Sequence, residues 1–382
     1  RLEARNMKIV IASDSFKGSL TSNEVAAAAT RGIKAVYPDC HVVAVNVADG
    51  GEGTVEAVVE ALHGQIISVQ VSDPLGRPIQ ARYGIAGQTA IMEMAAASGL
   101  PLLSPNERNP WLTSTHGTGE MIMDAIQKGC RNFLIGIGGS ATNDAGTGML
   151  QAMGFRFYDA QGQEICHCAG GTMHQIARID DSAVPQCVHE SIFTIACDVD
   201  TPFCGKEGAA PVFAPQKGAD AQMVQRLDAG MASLAQVIQN KYQVDIVPIA
   251  GAGAAGGMGG AFRAFLHATL KRGIDMVLDA IDFNTTIQGA NLIITGEGKI
   301  DFQTAKGKTA AGVLARAQQH GIPVMAIGGC VERCDSVDQL GFAGVYPITE
   351  EVLPLEIAMQ PAVAAANVEN TVKKILPTLF QH

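Results

Sequence analysis

The chain has 382 residues, of which 47% are hydrophobic and 17% charged, and its formal net charge is −10. Because domains usually hold about 100–200 residues, this length predicts two of them. The acidic balance argues against a nucleic-acid-binding protein, whose surface would be basic. No apolar stretch reaches the ~20 residues that cross a bilayer, so a membrane partner is not expected either.

The N-terminal residues and the cysteines both indicate a cytoplasmic protein. The first six residues are interpreted as an upstream extension or a cloning remnant, and no secretion signal is visible. The nine cysteines are an odd number at irregular positions, which does not indicate a disulfide framework. Cys166 with Cys168 and Cys330 with Cys334 could offer metal ligands, but neither pair has the spacing of a zinc site.

The N-terminal part alternates between predicted strands and helices. Apolar runs predict strands over residues 7–12 and 41–47, and helices are predicted over 22–36 and 55–62. Such an alternation is typical of a parallel α/β sheet.

The C-terminal part repeats this pattern, with predicted strands over 291–295 and 323–327 and a helix over 307–320. The middle of the chain differs, with more glycine runs and with strand candidates such as 80–85. We favour an organisation in which both ends build one α/β domain and the middle is a second α/β domain inserted into it. Two domains in tandem would give a similar pattern. The favoured boundaries are 7–74 together with 285–382 for the first domain and 75–284 for the second.

A polar loop with Asp14, Ser15 and Lys17 follows the first predicted strand and precedes a helix. In open parallel sheets ligands bind beyond the carboxyl ends of the strands. A lysine and a helix N-terminus both attract a phosphate or a carboxylate. The loop is therefore a candidate anion site, and a capped turn with a solvated lysine is the alternative.

The second predicted strand ends in a glycine-rich acidic loop with Asp49, Gly50, Gly51 and Glu52. Carboxylates in such a turn suit Mg²⁺ or a hydroxyl group of a substrate. A plain glycine turn would look similar, but this loop follows a strand close to the first one, which makes the two loops together more informative than either alone.

A third loop follows the apolar run 133–135 and contains Gly138, Gly139 and Ser140. Consecutive small residues expose backbone N–H groups that can surround an anion. Asn143 and Asp144 in the same loop are candidates for holding Mg²⁺ or for orienting an acceptor hydroxyl group.

A fourth loop has the pattern G-x-G-x-x-G from Gly251, before a helix predicted over 262–270. The pattern suggests a dinucleotide site with Asp275 as the ribose partner. However, the glycines continue beyond the pattern, and Asp275 precedes an apolar run instead of ending one. A dehydrogenase is therefore disfavoured.

A fifth loop, over 295–309, brings Glu297, Asp301 and Lys308 near a predicted helix start. Its end resembles a Walker A loop, but Phe302 stands where the first glycine of that motif is required, so a P-loop is rejected. Carboxylates, lysine and glycine are nevertheless what phosphoryl transfer needs.

Two lesser loops contain Asp198, after the apolar run 193–196, and Lys217, before a helix. For each of them, a structural role in a turn and a role in function are equally favoured.

Six blocks of the sequence resemble the bacterial glycerate kinases, the ATP-dependent group that forms 2-phosphoglycerate. They are DSFKGSL (14–20), ADGGEGT (48–54), GIGGSATNDAG (136–146), CDV (197–199) with PQKGA (215–219), GAGAAGGMG (251–259) and TGEGKID with the following QT and GK (295–308). They run in the family's order and cover nearly the whole chain. The chain departs from the family at Ser13, where proline is common, and at Ala145, where glycine is common, and neither change removes a charged group.

The resemblance implies a Rossmann-like parallel-sheet domain with a second α/β domain inserted into it, and an active site in the cleft between them. It implies in-line transfer of the γ-phosphoryl group of ATP to D-glycerate, with ADP released and Mg²⁺ bridging the ATP phosphates. The expected partners are thus small molecules, and the oligomeric state, including a homo-oligomer, is left open.

On this basis we assign hypothetical roles to particular residues. Lys17 would contact the transferred phosphate or the glycerate carboxylate, and Asp144 or Asp198 would orient the hydroxyl group. Glu297 and Asp301 are the metal candidates. Further candidates for binding substrate or phosphate are Asp14, Ser15, Asp49, Gly50, Gly51, Gly138, Gly139, Ser140, Asn143, Lys217, Gly256, Gly257, Gly296 and Lys308.

Other functions stay open at this point. A glycerate 3-kinase or a kinase of a related hydroxy acid would share most of these features. A NAD-dependent dehydrogenase would rest on the glycine motif at Gly251 alone. A non-catalytic sensor of phosphorylated acids would bind a ligand without turnover.

Overall fold

The computed structural model describes residues 7–349 and 353–380, which form two compact units. The first unit contains the chain up to Asp49, Glu60–Leu62 and the chain from Val277 onward. The second contains Gly50–Val59 and His63–Met276. Residues 1–6, interpreted from the sequence as an extension, lie outside the described residues.

The described strands and helices follow one another along the chain in an α/β order. In chain order the strands are β1 (Lys8–Ser13), β2 (His41–Asn46), β3 (Gln65–Ser72), β4 (Pro78–Ala86), β5 (Thr89–Glu93), β6 (Asn132–Gly136), β7 (Arg156–Tyr158), β8 (Arg178–Asp180), β9 (Ile192–Ala196), β10 (Thr269–Lys271), β11 (Leu292–Ile300), β12 (Val324–Val331) and β13 (Gly344–Pro347). The helices are α1 (Ser22–Val36), α2 (Thr54–Ala61), α3 (Ala95–Ser98), α4 (His116–Gln127), α5 (Thr147–Ala152), α6 (Gln186–His189), α7 (Ala209–Phe213), α8 (Ala221–Tyr242), α9 (Ala254–Phe265), α10 (Gly273–Ala280), α11 (Phe283–Thr286), α12 (Thr309–Gln319), α13 (Asp335–Asp338), α14 (Leu355–Ala358) and α15 (Pro361–Leu379). None of these helices is long and apolar enough to cross a membrane.

The first unit is built on a parallel sheet with the order β13-β12-β11-β1-β2. The chain leaves β1 toward β2 on one side and leaves β11 toward β12 and β13 on the other. The strand order therefore reverses between β1 and β11. In open α/β sheets the ligand crevice lies outside the carboxyl ends of the strands at such a point.

One face of this sheet is covered by α1 and α15. Helix α1 begins with a capping box, in which the Thr21 hydroxyl accepts from the Glu24 N–H and the Glu24 carboxylate accepts from the Thr21 N–H. Gly32 lets the two helices approach closely, since a Cβ there would lie 2.7 Å from the carbonyl oxygen of Glu369 in α15. Val368 and Val372 of α15 are fully buried in the same apolar cluster as the sheet residues.

The second unit has a mixed sheet with the order β10-β9-β6-β5-β4-β3, and β7 and β8 form a separate ribbon. Strands β5, β6, β9 and β10 are parallel, whereas β3 and β4 pair antiparallel. Glu93, Gly136 and Ala196 are aligned at the carboxyl ends of the three central parallel strands. The predicted α/β fold class is thus confirmed.

The helix predicted over 262–270 is wrong in its position. Helix α9 spans Ala254–Phe265 and Thr269–Lys271 is a strand. The prediction placed the glycine run in a loop before the helix, and glycine is indeed a poor helix former. In the structure this run is buried, and a Cβ at Gly259 would lie only 2.1 Å from the carbonyl oxygen of Gly251. Close packing thus favours glycine inside this helix, after a left-handed kink at its start.

Candidate functional site

A pocket of about 320 Å³ in the first unit lies where β1 and β11 end. It collects polar residues from the loops after β1, β2 and β11 and from the start of α12. Its lining residues are Asp14, Ser15, Lys17, Asp49, Glu297, Gly298, Lys299, Lys308 and Thr309. The expected ligand position at the reversal of strand order therefore holds a pocket with both cations and carboxylates.

Asp14 is fixed in this pocket by three elements. Its N–H donates to the carbonyl oxygen of Gly296 in β11 at 3.0 Å. Its Oδ1 accepts from the Ser15 N–H at 2.7 Å, and its Oδ2 accepts from the Thr309 hydroxyl at 2.8 Å. Burial raises the pKa of the Asp14 carboxyl group, and the nearby Asp49 adds to this increase, while Thr309 opposes it.

Glu297 is the second buried carboxylate of the pocket. Its Oε1 accepts from the Ala310 N–H at 2.7 Å, and its Oε2 accepts from the Thr304 hydroxyl at 3.1 Å. Burial raises its pKa to about 7, and the negative charge of Asp14 contributes to the increase. A group with this pKa can change its protonation near neutral pH, which is useful for acid–base chemistry.

Three lysines line the same pocket. Lys17 is exposed at its rim. Lys308, just before α12, donates to the side-chain oxygen of Gln303 at 3.1 Å. Lys299 pairs with Asp301 at 3.3 Å and with Glu332 at 2.9 Å. The pocket can therefore attract an anionic ligand although the whole chain is acidic.

Two predicted residues of this region stand apart from the pocket lining. The carboxylate of Asp301 is held by Lys299 and by the Gln303 N–H at 2.8 Å. Gly296 lies inside the sheet, where a Cβ would be 2.8 Å from the Ser13 hydroxyl, and its carbonyl group orients Asp14. Sequence reasoning missed Lys299 and Thr309, although the predicted helix start near Lys308 was a signal for the latter.

The remaining predicted residues belong to the second unit. Gly50 lies against the carboxyl ends of its sheet, with a φ of +90°. A Cβ at Gly50 would lie 2.7 Å from the Ala196 side chain, and a Cβ at Gly136 would lie 2.0 Å from the Gly50 carbonyl oxygen. Both positions therefore need glycine. Gly51, also predicted, follows directly in this loop.

Lys217 is fully engaged inside the second unit. Only 2% of it is exposed, and its Nζ donates to the Ser140 hydroxyl at 2.7 Å and to the Thr142 carbonyl oxygen at 2.6 Å. Burial lowers its pKa to about 7, which the nearby Asp144 opposes. This lysine therefore holds the glycine-rich loop after β6 from within.

Asp144 is buried and all its described hydrogen bonds come from the same unit. Its Oδ2 accepts from the N–H and the hydroxyl of Thr115 and from the Gly148 N–H, and its Oδ1 accepts from the Gly146 N–H. Burial raises its pKa. The amide of neighbouring Asn143 donates to the sulfur of Met231 at 3.3 Å.

The other predicted residues of this unit differ in exposure. Asp198 is exposed after β9 and accepts from the Gly273 N–H at 2.9 Å. Gly138 and Gly139 are exposed after β6. Gly256 and Gly257 are buried and close-packed on the loop after β6: a Cβ at Gly256 would lie 2.2 Å from the Thr142 carbonyl oxygen, and one at Gly257 would lie 2.9 Å from the Ala145 Cα.

The pocket chemistry fits a hard cation carried by a phosphorylated ligand. Among the described residues, no group of three or more His, Cys, Asp or Glu side chains could hold a metal ion by itself. Mg²⁺ commonly takes only one or two carboxylates together with phosphates and waters. Glu297 and Asp49 line the pocket and have oxygen donors of the required kind.

A parallel α/β sheet with lysines and carboxylates gathered at its reversal point defines a class, that of α/β enzymes acting on small anionic substrates. Comparison with known proteins identifies the family. The glycerate kinase family model matches residues 9–380, so the chain belongs to the glycerate kinase family. It is thus an enzyme of a kinase family.

Relatives of nearly equal length support this membership. The chain is 46% identical over 372 residues to a glycerate kinase of Bacillus cereus, covering 97% of each chain. It is 44% identical over 359 residues to the glycerate 2-kinase of Escherichia coli, covering 93% of this chain and 94% of the relative. A crystal structure from Salmonella typhimurium LT2, provisionally described as glycerate kinase 2, matches with a TM-score of 0.89 at 43% identity and covers 98% of each chain.

Proposed function

We propose that this enzyme transfers the γ-phosphoryl group of ATP to the 2-hydroxyl group of D-glycerate and releases ADP and 2-phosphoglycerate. The family membership and a relative named glycerate 2-kinase support the reaction. The observation that carries the proposal is the pocket after β1 and β11, in which three lysines and three carboxylates face one small volume. Phosphoryl transfer depends mainly on positioning and on neutralising charge, which such a set can supply.

The lysines of the pocket neutralise the negative charges of the reactants. Lys17 binds the carboxylate of glycerate or the transferred phosphoryl group, and Lys308 lies at the start of α12, where the helix N-terminus also favours an anion. Lys299 is already paired with Asp301 and Glu332 and adds charge from the edge of the pocket. Preorganised charges of this kind stabilise the transition state.

A magnesium ion bound with ATP would be held by Glu297 and by Asp49 in this pocket. When bound, the ion neutralises charge on the phosphate groups. Asp301, the other metal candidate from the sequence, would act on Lys299, because its carboxylate pairs with that lysine at 3.3 Å.

The two aspartates predicted from the sequence to orient the hydroxyl group have different surroundings. Asp198 is exposed and could reach a ligand. Both carboxylate oxygens of Asp144 instead accept hydrogen bonds from donors inside its own unit. Asp144 is therefore unsuited to orient the hydroxyl group, and the exposed Asp198 remains a candidate for contacting the substrate. The exposed loop with Gly138 and Gly139 remains our proposal for a phosphate contact in the second unit.

The cytoplasm is the proposed location, because all nine cysteines are free thiols, as in a reducing compartment.

A dehydrogenase receives no support from the glycine motif: among the described residues no strand lies between α8 and α9, and a Cβ at Gly253 would lie 2.1 Å from the carbonyl oxygen of Pro202. A dinucleotide fingerprint needs a strand before its turn and open space for the pyrophosphate.

Glycerate-dependent ADP release with Mg-ATP tests the proposed reaction, with L-glycerate and related hydroxy acids in parallel. We expect turnover with D-glycerate. Lys17→Ala should lower kcat/KM by orders of magnitude with little loss of stability, whereas Lys373→Ala, which removes an exposed lysine of α15 in the same unit, should leave kcat/KM unchanged. Binding of a phosphorylated acid without ADP release would indicate a sensor, and near-wild-type turnover of Lys17→Ala would remove this lysine from the site.

A further inference from the structure

The first turn of α12 fixes both buried carboxylates of the pocket. Thr309, at the first position of the helix, is 1% exposed and donates its hydroxyl hydrogen to Asp14 Oδ2 at 2.8 Å. The next residue, Ala310, donates its N–H to Glu297 Oε1 at 2.7 Å, and Thr304 before the helix donates to Glu297 Oε2. Each carboxylate therefore has its own threonine, so the roles of the two can be separated by substitution.

The size of the acceptor restricts which carboxylate can act on its hydroxyl group. In glycerate the 2-hydroxyl group and the carboxylate group are attached to the same carbon atom, C2. A cation that holds the carboxylate and a base that takes the hydroxyl proton must therefore be close neighbours. Asp14 and Lys17 lie on one loop and line one pocket, and the charge of Lys17 is near enough to lower the pKa of Asp14.

The corresponding pair in the second unit does not offer this arrangement. Lys217 lies near Asp144, but its Nζ donates to Ser140 and Thr142 in the interior. Asp144 in turn accepts from Thr115 and from backbone N–H groups on both oxygens. Neither side chain has the exposure that contact with a substrate requires.

We propose that Asp14 accepts the proton of the acceptor hydroxyl group and that Thr309 is the positioning residue that orients the Asp14 carboxylate. This inference rests on the proposed function. In the step, the O–H bond of the 2-hydroxyl group breaks and its proton moves to Asp14. The hydroxyl oxygen bonds to the γ-phosphorus, and the bond from that phosphorus to the bridging oxygen breaks, so that ADP leaves with the electron pair.

The groups that line the pocket around Asp14 carry both signs of charge. Lys17 on its own loop and Lys308 and Lys299 across the pocket are positive, whereas Asp49 after β2 and Glu297 in β11 are negative. Burial and Asp49 raise the pKa of Asp14, and the Thr309 hydroxyl lowers it. Loss of that hydroxyl group must therefore raise the pKa further, because a hydrogen bond to the ionised form is removed.

The test is the pH dependence of kcat/KM for D-glycerate in the wild type, Thr309→Val and Thr309→Ser. For Thr309→Val we expect the acidic limb, the part of the pH profile in which kcat/KM rises with pH, to move to higher pH. We also expect kcat to fall by about 10- to 100-fold, with little change in KM for ATP. Thr309→Ser keeps the hydroxyl group and should restore both. A ¹³C titration of the Asp14 carboxyl group, assigned with Asp14→Asn, should show the same increase in pKa without relying on turnover.

Two control variants separate this role from general effects. Thr295→Val removes another buried hydroxyl group of the unit, which donates to the Ala12 carbonyl oxygen, and should leave the acidic limb in place. Thr304→Val removes the donor to Glu297. If Thr304→Val moves the limb and Thr309→Val does not, Glu297 is the base and the inference is overturned.

The inference also fails if Thr309→Val moves neither the limb nor the Asp14 titration while the wild type is active. In that case the proposed function stands and only the assignment of Asp14 and Thr309 is lost. A folded wild type without glycerate-dependent ADP release would instead refute the proposed function, and the inference with it.

Discussion

Two lysines that look alike in the sequence have opposite surroundings in the structure. Lys17 and Lys217 each lie in a short loop before a helix, which is why both were predicted to bind phosphate. Lys17 is exposed at the pocket, whereas Lys217 is 2% exposed and donates to Ser140 and Thr142. The difference decides what each lysine contributes, which is charge for a ligand in one case and loop structure in the other.

The buried lysine predicts an unusual dependence of stability on pH. The pKa of Lys217 is lowered to about 7 in the folded protein, mainly by burial, against about 10.4 in an unfolded chain. Between these values the unfolded state binds more protons, so this group makes the free energy of unfolding rise with pH from about 7 to about 10. We expect a contribution of up to about 1.4 kcal/mol per pH unit in this window.

Denaturant unfolding of the wild type and of Lys217→Met across this pH range measures the effect. The difference between their free energies of unfolding should grow with pH in favour of the wild type. Lys206→Met, at an exposed position of the same unit, is the matched control and should show no such trend. A constant difference between the wild type and Lys217→Met would contradict the account.

The burial of Lys217 could not be predicted from the sequence, because its partners are 75 and 77 residues away along the chain. The same is true of Thr309, whose partner Asp14 is 295 residues distant. By contrast, the polar residues after β1 were predicted to face a ligand from the position of the loop alone, and they do line a pocket. Local sequence patterns predicted that these residues follow a strand and face a ligand. They could not predict hydrogen bonds to residues that are distant in the sequence.

At the scale of elements, some glycines of the glycine-rich loops allow neighbouring segments of backbone to pack closely. A Cβ at Gly136, the last residue of β6, would lie 2.0 Å from the carbonyl oxygen of Gly50, and Gly50 itself has a left-handed φ. Two residues after Gly136, a Cβ at Gly138 would meet no atom within 4 Å. Adjacent glycines in one motif thus serve different purposes.

This contrast gives a prediction on stability. Gly136→Ala should destabilise the second unit by about 1–3 kcal/mol, because the added methyl group forces the backbone of a packed loop to move. Gly138→Ala should leave the free energy of unfolding nearly unchanged. Thermal or chemical unfolding of both variants is the measurement, and equal stabilities would show that the loops are not in close contact.

The elements themselves were mostly predictable from periodicity. The helix over 22–36 coincides with α1, whose capping box and alanine-rich face follow local rules. Helix α9 was placed wrongly because tertiary packing, and not helix propensity, requires its glycines. Gly259 lies close to the backbone of Gly251, and Gly260 lies close to the ring of Phe203. Boundaries therefore failed where packing, and not local preference, determines the backbone.

At the scale of the whole molecule, the sheet of the first unit pairs β1 with β11, joining Ile9 to Leu292. Hydrophobic periodicity predicts both strands. It cannot predict that they are neighbours, because periodicity depends only on residues that are close together in the sequence. The order of the predicted elements favoured one domain built by both ends of the chain, and the resemblance to the glycerate kinases agreed with it, but neither stated which strands pair. The pairing creates the reversal of strand order, and with it the pocket that Asp14 and Glu297 both line.

We propose that this pocket acts on the hydroxyl group adjacent to the carboxylate of the acceptor. The most direct measurement is ³¹P and ¹³C NMR of the product that the wild type forms from D-glycerate and Mg-ATP. We predict a phosphate group on C2, coupled to that carbon, with an equal amount of ADP. A phosphate group on C3 would contradict the claim, because a base next to the cation that holds the carboxylate could not then be acting on the reacting oxygen.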